Sequence, residues 1–250
     1  MTSIEDGINF ILSHFQEPIF PRRIFTPIQK QVMVSNVEEI VKYFKESKLY
    51  DCRISAFPFL EKYQITIHGT QPPDILFIDL DASQFKSGRG LYLALIKTLK
   101  NIQDRFNSYS QPTILESGSG GYHIIQPLQV IDLQRVDQFT KLTLDPNKEF
   151  LRFLERWISD GKADYNHYNN VSMNNYLLRV PNSVNSKTNT EVKIVQRWNG
   201  RRPDVRFVYS YFLAYLVDKR NEPHYSGAVR NNSWIEYCKI KRKNEYQIEC

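Results

Sequence analysis

Cysteine is scarce in this chain of 250 residues: Cys52, Cys238 and Cys250 stand far apart. No Cys-x-x-Cys or Cys/His spacing is present to build a structural zinc site, and three scattered thiols cannot make a disulfide framework. Such usage fits a reducing compartment. Long apolar runs are missing as well. No stretch approaches the roughly 20 residues that a bilayer-spanning helix needs. The N-terminal segment MTSIEDGINFILSHF carries early acids and reads as an amphipathic helix rather than a signal peptide. The expectation is a soluble cytoplasmic protein with no membrane partner. There is no low-complexity tract, internal repeat or Gly/Ser/Pro linker. The Gly-Lys-Ser/Thr ending of a P-loop is also absent.

What is present favours an ordered core: 41% of residues are hydrophobic and 13% aromatic, including 15 Tyr and 15 Phe. The net charge of +6 is concentrated at Pro21-Arg22-Arg23, Arg197 to Arg202 (RWNGRR), Lys219-Arg220 and Lys239 to Lys243. Lysine and arginine release counterions when they pair with phosphates, so these clusters suit nucleic acid or nucleotides, or else simply a solvated surface.

Helical spacing over Glu38 to Lys48 places Ile40, Val41 and Phe44 on one side. Strand-like runs follow at Cys52 to Phe57, Gln64 to His68 and Ile75 to Asp81. Gly88 to Phe106 predicts a helix with Leu91, Leu95, Ile96 and Leu99 on a common face. Thr113 to Glu116 and Tyr122 to Gln126 predict strands joined by a glycine-rich turn, and Asn147 to Ser159 another helix. Tyr176 to Val180 and Val192 to Trp198 read as strands around a loop at Pro181 to Thr190, and Phe207 to Lys219 as a helix. Mixed strands and helices with prominent hairpins give an α+β or mixed α/β class.

Three segments carry chemistry. Asp79-Leu80-Asp81 ends an apolar strand, and side chains two apart on a strand share a face about 7 Å from each other. Carboxylates so placed suit Mg²⁺ or Mn²⁺, which prefer hard oxygen ligands. Glycosyltransferases, phosphatases and ordinary strand ends share the same pattern. Ser117-Gly-Ser-Gly-Gly-Tyr-His123 offers backbone N–H groups, hydroxyls and an imidazole for a triphosphate, or makes a plain hairpin turn. Arg179-Val-Pro-Asn-Ser183-Val-Asn185-Ser-Lys187-Thr188 sets an arginine at a strand end before hydroxyl, amide and lysine donors. It equally suits a polar hairpin loop.

Taken in order, FIDLD, SGSGGYH and LRVPNSVNSKT resemble the motifs of the archaeo-eukaryotic primases, the superfamily of replicative primase small subunits and of plasmid and viral primase-polymerases. The resemblance spans roughly Asp74 to Trp198, and FPRRIF and DCRISAFPF extend it more weakly. It implies an α+β, two-lobed core over 1–220, with an RRM-like antiparallel sheet and a smaller α/β lobe, followed by a basic tail over 221–250. It implies Mg²⁺ or Mn²⁺ held by Asp79, Asp81 and a third acid. Asp164, 15 residues before Arg179, matches that acid better than Asp160, which suits a turn. Ser117, His123, Arg179, Ser183 and Lys187 would bind the nucleoside triphosphate, with single-stranded DNA as template. A primase large subunit or a helicase is the implied protein partner. Replicative small subunits often carry a zinc knuckle, so its absence points toward mobile-element, viral or accessory members. A primase-like binding subunit without synthesis, and a primer-dependent gap-filling polymerase, are the alternatives.

Overall fold

A computed structural model describes residues 3–59, 72–164 and 176–221 of the chain. The strand expected at Gln64 to His68, together with His68, His167 and the basic tail from 222 onward, lies outside the described residues.

Helix α1, Ile4–Leu12, starts at a capping box in which Ser3 and Asp6 satisfy each other's backbone N–H, and it buries Ile4, Ile8, Ile11 and Leu12. It packs against α2, Val37–Glu46, which Asn36 caps and which buries Ile40 and Phe44. The helix stops short of the expected Lys48 because Lys48 and Leu49 take positive φ angles of 54° and 65°. Beside these helices lies the first sheet, antiparallel throughout, of β1 (Arg22–Phe25), β2 (Val32–Val34), β3 (Arg53–Ser55) and β7 (Leu177–Arg179) in the order β2-β1-β3-β7.

The basic character of Pro21-Arg22-Arg23 is turned inward here. Arg22 is fully buried, stacks 3.4 Å from the Phe15 ring centroid and donates to the Ser55 carbonyl at 2.6 Å. Arg23 is buried over Phe59. Alternation along β1 and its central place in the sheet put both guanidiniums in the interior, so this cluster offers no surface to nucleic acid.

The second sheet is also antiparallel, with order β10-β5-β6-β4, where β4 is Ile75–Leu80, β5 Thr113–Glu116, β6 Tyr122–Pro127 and β10 Lys193–Gln196. Its strand β4 buries Ile75, Leu76, Phe77, Ile78 and Leu80, as a continuous apolar run demands of a strand covered on both faces. Helices α3 (Gly88–Arg105) and α5 (Pro146–Ile158) pack on it. On α3 the buried set is Leu91, Leu95, Thr98, Asn101 and Ile102, while Ile96, expected inside, is 45% exposed. A short α4 (Asp137–Thr140) and α6 (Tyr209–Asn221) close the far side, where Phe139, Phe150, Phe153 and Phe212 pack ring against ring. The loop after β7 forms the small hairpin β8 (Val184–Asn185) and β9 (Thr190–Glu191). Among the described residues no helix is long and apolar enough to cross a membrane.

Candidate active site

The two sheets meet at a cleft of about 440 Å³. Phe77 and Asp79 from β4, Asp81 just beyond it, His123 from β6, and Ser117 and Ser119 from the glycine turn line one side; Arg53 from β3 and Leu177 and Arg179 from β7 line the other. Asn185 and Lys187 reach it from the β8–β9 hairpin. Of the residues singled out in the sequence, Asp79, Asp81, Ser117, His123, Arg179 and Lys187 therefore share one cavity.

Strand β4 ends at Leu80, so Asp81 leaves the sheet and caps a 3-10 turn over Ala82–Gln84, accepting a 2.8 Å bond from the Ser83 N–H. Its extended backbone, φ −73° and ψ 125°, keeps the strand's alternation, and both carboxylates reach the cleft. Cross-strand pairing seats His123 directly opposite Asp79, with Nε2 3.7 Å from the carboxylate, and the Phe77 ring meets the imidazole edge-on.

Glycine is required twice in the turn. Gly118 has φ 76°, and a Cβ there would lie 2.7 Å from the Thr190 carbonyl oxygen. A Cβ on Gly121 would lie 2.7 Å from the Leu80 carbonyl oxygen, so only glycine lets the turn press against the backbone that carries the carboxylate pair. Thr188 Oγ donates to the Gly118 carbonyl at 2.6 Å and Asn185 Nδ2 to the Ser117 carbonyl at 3.2 Å, tying the turn to the arginine loop.

Arg179 donates to Asp51 at 2.9 Å. Burial pushes the Asp51 carboxyl up, but hydrogen bonds from Ser186 and Arg179 outweigh it and hold the group below the usual range. Arg53 stands directly opposite Arg179 in the β3–β7 register. Its pKa is lowered, chiefly by burial and then by Arg179, against the pull of Asp51 and Asp79. Its Nε finds no hydrogen-bond partner among the described residues. Arg53 and Arg179 repel each other across the sheet, and the Asp51 and Asp79 carboxylates offset part of that repulsion. Sequence reading passed over Arg53; the only signal was its place in DCRISAFPF.

Two expected residues lie elsewhere. Ser183 is fully buried, its hydroxyl donating to the Val180 carbonyl at 2.6 Å, and it does not line the cleft. Asp164 sits at the rim: its N–H donates to the Asp79 carbonyl at 2.8 Å, while Gln84 Nε2 bonds its carboxylate. The competing Asp160 is taken up by Arg105 at 2.5 Å and Asn101 at 3.1 Å, between α3 and α5. Among the described residues no three acidic, histidine or cysteine side chains form a ready-made ion site. The donor set still suits Mg²⁺ or Mn²⁺, because Asp79 and Asp81 offer only hard oxygens. Mg²⁺ typically takes one or two carboxylates, keeps waters and shares substrate phosphates.

The sequence matches no protein-family model, and no curated protein matches it. Among solved structures, the chain is similar to the AEP domain of the cyanophage S-2L primase-polymerase, with a TM-score of 0.50 and 11% identity, covering 85% of this chain and 96% of that one. It is also similar to the polymerase domain of Mycobacterium tuberculosis Ligase D in complex with DNA, with a TM-score of 0.45 and 13% identity, covering 86% of each chain. The chain has the archaeo-eukaryotic primase fold.

Proposed function

We propose that this chain, with its archaeo-eukaryotic primase fold, is a nucleotidyltransferase of primase-polymerase type that joins nucleotides from nucleoside triphosphates on a single-stranded DNA template. One observation carries the reading: a carboxylate pair, Asp79 and Asp81, shares a single cleft with the cations Arg53, Arg179 and Lys187. A nucleoside triphosphate with a hard divalent ion has the complementary charge distribution.

Asp79 and Asp81 would hold Mg²⁺ or Mn²⁺, with Asp164 at the rim as a third acid. Such an ion, when bound, neutralises charge at the transferring phosphate and activates the attacking hydroxyl. The chain's own residues do the rest. Arg53, Arg179 and Lys187 grip the triphosphate, and Arg179 exchanges Asp51 for phosphate oxygens. The Ser117 and Ser119 hydroxyls, 3.0 Å apart, add donors from the turn. His123, held edge-on by Phe77 with Nε2 3.7 Å from Asp79, offers that nitrogen to the phosphate. The 3′-hydroxyl then attacks the α-phosphorus in line and gives up its proton to solvent, while the bond to the β-phosphate oxygen breaks and pyrophosphate leaves.

The test is nucleotide incorporation on a single-stranded template, with and without primer, in Mg²⁺ or Mn²⁺. Products without primer indicate a primase, products only with primer a gap-filling polymerase. Asp79→Ala is expected to lower incorporation by at least about a hundredfold, the size seen when a transition-state-stabilising group is lost, while leaving template binding intact. Wild-type synthesis by this variant would sink the proposal. Synthesis by neither protein in either metal would favour a binding subunit.

A further inference from the structure

The basic turn Arg197 to Arg202, which follows β10, takes no part in the cleft. It is stitched to the segment before β5 by a run of hydrogen bonds. Gln196 Nε2 donates to the Pro112 carbonyl at 2.8 Å, Trp198 N–H to Thr113 Oγ at 3.0 Å and Asn199 N–H to the Gln111 carbonyl at 3.2 Å. Asn199 Nδ2 donates to the Tyr109 carbonyl at 2.9 Å and Ser110 Oγ to the Arg201 carbonyl at 2.9 Å. Gly200, at φ 84°, makes the reversal, and Trp198 Nε1 closes it on the Arg201 carbonyl at 2.8 Å.

The arginines divide by role. Arg202 points inward, donating to the His14 carbonyl at 2.6 Å and the Leu128 carbonyl at 3.2 Å, with Asp74 3.7 Å away. Arg197 and Arg201 are exposed, Arg197 lying 4.9 Å from the Phe10 ring centroid. Beside them Tyr109 is 82% exposed on a backbone that these bonds hold in place. Neither 109–112 nor 196–202 contains a carboxylate.

We propose that Tyr109, Arg197 and Arg201 form a second contact for single-stranded DNA, outside the cleft; this rests on the reading of the chain as acting on a single-stranded template. An exposed phenol ring on a rigid support gives an unstacked base a face to lie on, and guanidiniums pair with the phosphates on either side. A duplex keeps its bases stacked and offers the ring nothing. The patch lies at the Thr113 end of β5, whereas the glycine turn of the cleft follows its Glu116 end. Four strand residues span roughly 14 Å, a distance that a short stretch of extended single strand covers. One strand of template can therefore touch both places.

The test is fluorescence anisotropy of a labelled oligo-dT and a length-matched duplex with the full chain, over a salt series. Tyr109→Ala is expected to weaken oligo-dT binding about fivefold to a hundredfold, Tyr109→Phe to restore it, and duplex binding to change little. Arg197→Ala with Arg201→Ala should flatten the log affinity against log salt slope by about 1.4. Wild-type affinity for oligo-dT in all these variants, or an equal loss on duplex, overturns the proposal. Incorporation assays separate it from the catalytic reading. Unchanged binding in patch variants beside an inactive Asp79→Ala refutes the patch alone. Lost binding in patch variants of a wild type that incorporates no nucleotide refutes the catalytic reading alone.

Discussion

At the scale of single residues, Arg53 and Ser183 exchange the importance their sequence contexts suggest. Arg53 faces Arg179 across two strands, desolvated and in repulsion, so its charge is costly to the fold. Arg53→Met should leave the thermal midpoint unchanged or higher while raising the nucleotide KM by about tenfold or more, the worth of a charge-assisted hydrogen bond. A midpoint that falls with an unchanged KM would make Arg53 structural. Ser183 belongs to the motif that resembles the primases, yet its hydroxyl is spent on the Val180 carbonyl. Ser183→Ala should cost about 1 kcal/mol of stability and leave the nucleotide KM where it was, which denaturant melts and steady-state kinetics would each register.

At the scale of elements, the glycine turn between β5 and β6 is built by contact rather than by flexibility. Gly121 packs on the Leu80 carbonyl, and Ser117 N–H donates to the Gly121 carbonyl at 2.9 Å. Gly121→Ala forces the turn and the end of β4 apart. The expected cost is about 1–3 kcal/mol, typical of overpacking, together with a loss of incorporation larger than the stability change explains, because Asp81 rides on the displaced backbone. Normal activity in a destabilised Gly121→Ala protein would show that the turn's closeness to Asp81 does not matter. The same element scale explains Asp164 and Asp160. Both lie in the segment after α5, where the Asp164 N–H is bonded to the Asp79 carbonyl and the Asp160 carboxylate is turned to Arg105 on α3.

At the scale of the whole molecule, His14 joins the two sheets' neighbourhoods. It follows α1 beside the first sheet, and its Nε2 lies 2.6 Å from Thr113 Oγ at the start of β5. Nδ1 donates to the Phe10 carbonyl at 2.7 Å, leaving Nε2 to accept. Burial pushes the imidazole's pKa down to about 4 against backbone bonds to Phe10 and Ile11 that raise it, and Arg202 lowers it further. The unfolded chain, titrating near 6.5, takes up a proton that the folded one refuses. Stability from this group is therefore complete above about pH 6.5 and is lost as pH falls toward 4, by up to about 3 kcal/mol. His14→Gln should flatten that acid limb in denaturant melts between pH 7.5 and 4.5. An unchanged limb would assign the acid sensitivity to other groups.

Much of this was written locally. The apolar run into Asp79, the glycine spacing before His123 and the Arg179 segment could be read in order, because strand alternation and glycine's backbone freedom act over a few residues. Helices α2, α3 and α5 were legible from their apolar period for the same reason. What the sequence by itself determined was the set of chemical groups and the strands that carry them. Tertiary structure decided which of those groups meet. Similar arginine-rich patches became interior at Arg22 and Arg23 and exposed at Arg197 and Arg201. Arg53 was joined to Arg179 by pairing of strands far apart in the chain. Burial and cross-strand register depend on distant segments, so no local pattern could carry them.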